Sequence, residues 1–163
     1  MRYNTIKYND IANSPGVAVS VYLQGCPPPH CNNCFNPETW DFSGGQELTD
    51  EVIQDIIDNL YVNNIQRSLC ILGGEPLCDL NIPATAKIIK AVKAVYPEIK
   101  VYVWSRYLIE TLQDLAKVNN DLNYILNNIY CLVDGPYKEE LRQIDLPMRG
   151  SLNQRILYFD NVK

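Results

Sequence analysis

The sequence predicts an α/β fold in which a mostly parallel sheet is flanked by outer helices. Three observations lead there. Short, nearly unbroken apolar runs have strand length, the segments between them carry apolar residues at helical spacing, and the two alternate at intervals of roughly 30 residues, the size of a βαβ unit. At 163 residues the chain suits a single domain, 1–163, large enough to bury a core without staples. A composition 47% hydrophobic and 20% charged is ordinary for a globular protein, and no repeat, linker or low-complexity stretch divides it.

Met1 to Ala12 reads as a short irregular or edge strand, leading to a turn at Asn13-Ser-Pro-Gly16, where Pro15 fixes φ. Val17 to Leu23 is the first core strand, apolar enough to be covered on both faces. After a break at Ser43-Gly-Gly45, Thr49 is placed to cap a helix whose first turn carries Asp50 and Glu51. Val52, Ile53, Ile56, Ile57 and Leu60 mark its inner face. Ser68 to Leu72 is the second strand. Pro83 suits the first turn of the next helix, with Ile88, Ile89, Val92 and Val95 inward and Lys87, Lys90 and Lys93 in water. Ile99 to Trp104 follows as a third strand. Leu108, Ile109, Leu112 and Leu115 mark a third helix, which Asn119-Asn-Asp121 is expected to end. Asn128 to Val133 is a fourth strand and Arg155 to Phe159 a fifth.

The net charge of −5 argues against a nucleic-acid partner held through phosphates. No apolar run reaches membrane-spanning length and Met1 to Thr5 lacks the apolar core of a signal peptide, which points to a cytoplasmic protein without a membrane partner. Six cysteines are too few and too unevenly spaced for a disulfide scaffold. Three of them, Cys26, Cys31 and Cys34, fall on one loop after the first core strand. Cys70 and Cys131 read as buried strand residues and Cys78 as a loop residue. Thiolate is a soft ligand for iron–sulfur clusters, Zn and Cu(I), and three thiols leave a fourth position open for chemistry. Zn held by Cys26, His30, Cys31 and Cys34 is the structural alternative, although the adjacency of His30 and Cys31 makes joint ligation awkward. Ligands in such folds gather at the carboxyl ends of the strands. The cysteine loop, Gly73-Gly-Glu-Pro76, Ser105-Arg106 and Asp134-Gly-Pro136 all follow strand ends, so they are expected to share one rim. There the glycines allow close backbone approach to a ligand, and Glu75 offers a carboxylate to a cationic group such as an ammonium.

A cysteine triplet after the first strand and Gly-Gly-Glu-Pro after the second resemble the radical S-adenosylmethionine (SAM) enzymes. Asn13-Ser-Pro-Gly16, Gly25-Cys26, Cys34-Phe-Asn-Pro-Glu-Thr-Trp40, Val103-Trp-Ser105, Leu132-Val-Asp-Gly135 and Arg149-Gly-Ser-Leu-Asn-Gln154 narrow the resemblance to the activating proteins of anaerobic ribonucleoside-triphosphate reductase. The resemblance implies a partial (β/α) barrel of the radical SAM type. It implies that Cys26, Cys31 and Cys34 hold a 4Fe-4S cluster whose fourth iron is chelated by SAM. Gly73, Gly74 and Glu75 then meet the methionine moiety, and Asn33 and Phe35 lie close to the cofactor. The implied activity is reductive cleavage of SAM to a 5′-deoxyadenosyl radical that takes a hydrogen from a glycine of the large reductase subunit, with electrons from a low-potential donor such as a flavodoxin. No catalytic residue beyond the cluster and SAM is implied.

The chain departs from the family in two places. The usual pattern is Cys-x3-Cys-x2-Cys, whereas four residues, Pro27, Pro28, Pro29 and His30, separate the first two thiols here. Such an insertion can bulge out, stiffened by its prolines, with all three thiols kept as ligands. Arg106 stands where relatives tend to carry glycine, and is expected either as a solvated rim residue or near the SAM carboxylate. Arg149 to Gln154 suits contact with partner or cofactor as well as a self-bonded surface loop. Alternative functions are activation of another glycyl-radical enzyme, small-molecule radical SAM chemistry, and the Zn-stabilised interaction module.

Overall fold

The computed structural model describes residues 1–159. Among them a seven-stranded mixed sheet carries four helices packed into one core. The strands are β1 (Arg2–Asp10), β2 (Ala18–Leu23), β3 (Gln46–Glu47), β6 (Ser68–Gly73), β7 (Val101–Ser105), β8 (Cys131–Asp134) and β9 (Arg155–Tyr158). A separate two-stranded hairpin is formed by β4 (Tyr61–Val62) and β5 (Ile65–Gln66). The helices are α1 (Asp50–Asn59), α2 (Ile82–Val95), α3 (Ile109–Ala116) and α4 (Asn120–Asn128).

The main sheet runs β3-β1-β2-β6-β7-β8-β9. Its centre, β2-β6-β7-β8, is parallel, and antiparallel strands flank it on both sides. Alternation along the central strands separates two faces. Val19, Val21, Leu23, Leu69, Ile71, Val101, Val103 and Leu132 share a core with the helices. Tyr22, Cys70, Leu72, Tyr102, Cys131 and Val133 point the other way, where Trp104, Met148 and Ile156 pack on them. Residues such as Ile56, Leu60, Ile88 and Ile89 are fully buried, each stabilising the fold by about 1.5–3 kcal/mol. Thr49 caps α1 through its side chain, which accepts from the Val52 amide. No helix among the described residues is long and apolar enough to cross a membrane.

The structure differs from the sequence reading at several elements. The first strand is nine residues long and paired on both sides, with β3 outside it. Its polar residues Thr5, Lys7 and Asn9 face water while Ile6 and Tyr8 pack inward, so the alternation is weak in hydrophobicity alone. Asn119 does not end the third helix. Its side chain accepts from the Leu122 amide at 3.0 Å and starts α4, a helix absent from the sequence reading, after α3 has ended at Ala116. The β4–β5 hairpin escaped notice because its turn is Asn63-Asn64 without glycine; both asparagines adopt positive φ, which Asn tolerates. Val95, expected inside, is 52% exposed at the end of α2. Lys93 is half-buried instead of wet, since its ammonium satisfies the carbonyls of Pro97 and Ile99. Leu108 and Leu115 are exposed, and Leu112 is the one fully buried residue of α3, with Ile109 and Ala116 packing partly beside it.

Candidate iron–sulfur site

The parallel strands end at Leu23, Gly73, Ser105 and Asp134, and the loops that follow line one cavity. Cys26, Cys31, Cys34 and Phe35 come from the first loop, Gly73, Gly74 and Glu75 from the second, Ser105 and Arg106 from the third, and Gly135 and Tyr137 from the fourth. The cavity, about 150 Å³, shares Phe35, Asn36, Leu72, Trp104, Tyr137 and Gln154 with a neighbour of about 360 Å³ bordered by Met148 and Arg149. Together they form a groove beside the thiols, walled by aromatic side chains.

The cysteine loop is fastened at its base. Gly25 N donates to Thr39 O and Cys26 N to Trp40 O, so the ends of the excursion lie side by side. Buried Gln24 donates to the carbonyls of Glu38 and Asp41 and accepts from Asn4. His30 stacks on Trp40 with ring centroids 4.1 Å apart, and its Nε2 lies 3.0 Å from Cys26 O. Nε2 is thereby engaged with the backbone, which leaves only Nδ1 for any ligation by this ring. Asn33 has φ of 51° and turns the chain between Cys31 and Cys34. It sits on the outer side of the loop and does not line the thiol cavity. Phe35 does line it, and packs against Tyr137.

The second loop lies directly on the first. Gly74 N donates to Leu23 O and Glu75 N to Gly25 O. A Cβ on Gly74 would stand 2.2 Å from the Gly25 carbonyl oxygen, so close backbone packing demands glycine there. Buried Asn81, which the sequence reading passed over, donates to the carbonyls of both Gly25 and Glu75 and rivets the two loops together. Its only sequence signal is its place just before the α2 proline.

Glu75 is 2% exposed and its carboxylate is already occupied. One oxygen accepts from Leu77 N at 2.9 Å and Ser105 Oγ at 2.8 Å, the other from Arg106 N at 2.8 Å. It ties the second loop to the third while still bordering the cavity. Burial pushes its pKa up, against the pull of these donors and of Arg106. Burial also pushes the Cys26 thiol up to about 11, with Glu75 adding to the effect and Arg106 opposing it, and it raises Cys31 as well. Arg106 is half-buried, neither a solvated rim residue nor an empty-handed cation: its Nη1 donates to the carbonyls of Pro27 and Pro29. Asp134 is buried, caps α3 by accepting from Ile109 N, and pairs with Arg155. In the segment Arg149 to Gln154, Arg149 donates to Gln154 O while the Gln154 side chain accepts from Gly150 N, so this loop is largely bonded to itself.

Among the described residues no three of the His, Cys, Asp and Glu side chains gather tightly enough for one metal ion. A cubane asks for something else. Its thiolates bind different irons, so three sulfurs spread around a cavity wall are a fitting donor set. Three half-buried thiols therefore line one wall of the groove. A family model described as a 4Fe-4S single cluster domain matches residues 12–157. The chain is 31% identical to the anaerobic ribonucleoside-triphosphate reductase-activating protein of Vibrio cholerae over 98% of its own length and 99% of the relative's. The proteins of that name from Escherichia coli K12 and Enterobacteria phage T4 are each 31% identical, covering 94% and 96% of this chain and 96% and 93% of theirs. The chain belongs to the family of anaerobic ribonucleoside-triphosphate reductase-activating proteins, whose cofactors are a 4Fe-4S cluster and SAM.

Proposed function

We propose that this chain, as one domain spanning 1–163, is the activase of an anaerobic ribonucleoside-triphosphate reductase, with Cys26, Cys31 and Cys34 as ligands of its 4Fe-4S cluster. The last four residues of that domain lie outside the described ones. The observation that carries the reading is the convergence of four strand-end loops, with three thiols and Gly73-Gly74-Glu75, on one cavity. When bound, the reduced cluster and SAM supply a 5′-deoxyadenosyl radical that takes a hydrogen atom from a glycine of the large reductase subunit. The remaining work belongs to the protein. Leu72, Trp104, Phe35 and Tyr137 wall the groove with apolar surface that keeps water from a reactive species. The backbone of Gly73 and Gly74 borders the space for SAM, while Glu75 holds the loop in shape by its three hydrogen bonds. Asn33, in its left-handed conformation, turns the chain between Cys31 and Cys34 beside both thiols. The central parallel strands with helices on one face support a partial (β/α) barrel of the radical SAM type. A flavodoxin-type electron donor and a cytoplasmic setting complete the reading.

Its test is anaerobic reconstitution with iron and sulfide, reduction, and assay of 5′-deoxyadenosine formation and of a glycyl radical on the reductase, with Cys31→Ala alongside. A brown protein that cleaves SAM, and a variant that does not, support the proposal. A colourless protein that binds Zn and leaves SAM whole overturns it.

A further inference from the structure

The loop between Cys26 and Cys31 has an unusual fastening problem. Pro27, Pro28 and Pro29 have no N–H, so hydrogen bonds from outside can hold these three residues only through their carbonyl oxygens. One side chain does so. Arg106 Nη1 donates to Pro27 O at 2.8 Å and to Pro29 O at 2.7 Å, from a sequence distance of more than seventy residues. The arginine is itself held. Its backbone N–H donates to Glu75, the preceding Ser105 closes β7 and also donates to Glu75, and its guanidinium lies 5.5 Å from the Tyr107 ring centroid. On the far flank of the loop, His30 is fixed by stacking on Trp40. The proline bulge is thus spanned between a strand end and an aromatic stack, with Cys26 at one end and Cys31 at the other.

We propose that Arg106 is the positioning residue of the cysteine loop: its guanidinium pins the proline bulge to the end of β7 and so sets where Cys26 and Cys31 present their sulfurs to the cluster. A charged, half-buried donor to two carbonyls outlasts the exchange with water that would otherwise loosen an exposed, donor-free loop. Both bonds leave from one nitrogen, so a lysine ammonium, with three donors, a shorter stem and stronger hydration, can replace the clamp only in part.

This inference rests on Cys26, Cys31 and Cys34 being the cluster ligands. The test uses full-length protein reconstituted anaerobically, as wild type, Arg106→Ala and Arg106→Lys. Cluster loss to an iron chelator is followed by absorbance, the reduced cluster by electron paramagnetic resonance, and the apoprotein by thermal melting. Arg106→Ala removes both hydrogen bonds and is expected to shorten the cluster's half-life about tenfold or more, tenfold being the low end for charge-assisted hydrogen bonds, and to broaden the resonance signal. Arg106→Lys is expected to recover part of both, with the apoprotein melting unchanged. The proposal is overturned if wild type and Arg106→Ala lose the cluster equally fast with the same spectrum, or if the loss only tracks a fall in apoprotein stability. Failure of the underlying ligand assignment looks different, because wild type would then take up no cluster at all.

Discussion

Replacing Glu75 by alanine separates two roles for this residue, a ligand for SAM and a clamp between loops. In the structure its carboxylate accepts from Leu77 N, Ser105 Oγ and Arg106 N in a site closed to solvent. Truncation strands two backbone N–H groups, that of Leu77 buried and that of Arg106 partly so, each costing up to about 1–3 kcal/mol, while the Ser105 hydroxyl can rotate to another acceptor. Removing a buried carboxylate whose pKa is raised by desolvation offsets part of that loss. A net destabilisation of about 3 kcal/mol is expected, which lowers the melting temperature of a domain this size by about 6–12 °C. Glu75→Gln should lose roughly half as much, because one oxygen is kept but an amide donor faces a second donor. The assay is thermal and denaturant unfolding of the apoprotein, alongside SAM binding by the reconstituted form. An unchanged melting temperature with SAM affinity abolished would refute the clamp and restore the carboxylate as a direct ligand.

Other changes test neighbouring contacts. Gly74→Ala drives a Cβ into the Gly25 carbonyl and should cost about 1–3 kcal/mol with loss of SAM cleavage, whereas Gly16→Ala, with open space around it, should cost about 1 kcal/mol of backbone strain and leave cleavage intact; melting curves and 5′-deoxyadenosine yields compare them. Asn81→Ala leaves the Gly25 and Glu75 carbonyls without their shared donor, and should destabilise by about 1–3 kcal/mol and weaken SAM binding, as measured by equilibrium unfolding and titration. Hydrogen bonding to Arg155 holds Glu110 well below its ordinary 4.5, at about 2. Its contribution to stability is therefore complete above pH 4.5 and is lost as pH falls toward 2, so Glu110→Gln should flatten the acid limb of unfolding in low salt, and an identical limb would count against the pair.

Much of the site could be read before any coordinates, because its chemistry is local in sequence. Cys26, Cys31 and Cys34 share one loop, and Gly73-Gly74-Glu75 directly follows a run of strand residues. Spacing and residue type were enough to place both on the carboxyl rim of a parallel sheet. The central strands and most helix faces were legible for the same reason, since 2-residue and 3.6-residue periods are set by backbone geometry. The Asn63-Asn64 hairpin and the Asn119 cap were not, because asparagine ends one element as readily as it begins another, and only the hydrogen bond it makes decides which.

By itself, then, the sequence determined the alternation of strands and helices, the three thiols on one loop and the glycine pair on the next, all consequences of local spacing and side-chain chemistry. Tertiary structure alone decided that Glu75 faces inward as a clamp, that Asn81 joins two loops, that Asn33 turns away from the groove, and that Arg106 reaches the proline carbonyls. Each depends on at least one group far along the chain that a side chain meets, and a pairing across thirty to eighty residues leaves no period or motif for a sequence to display.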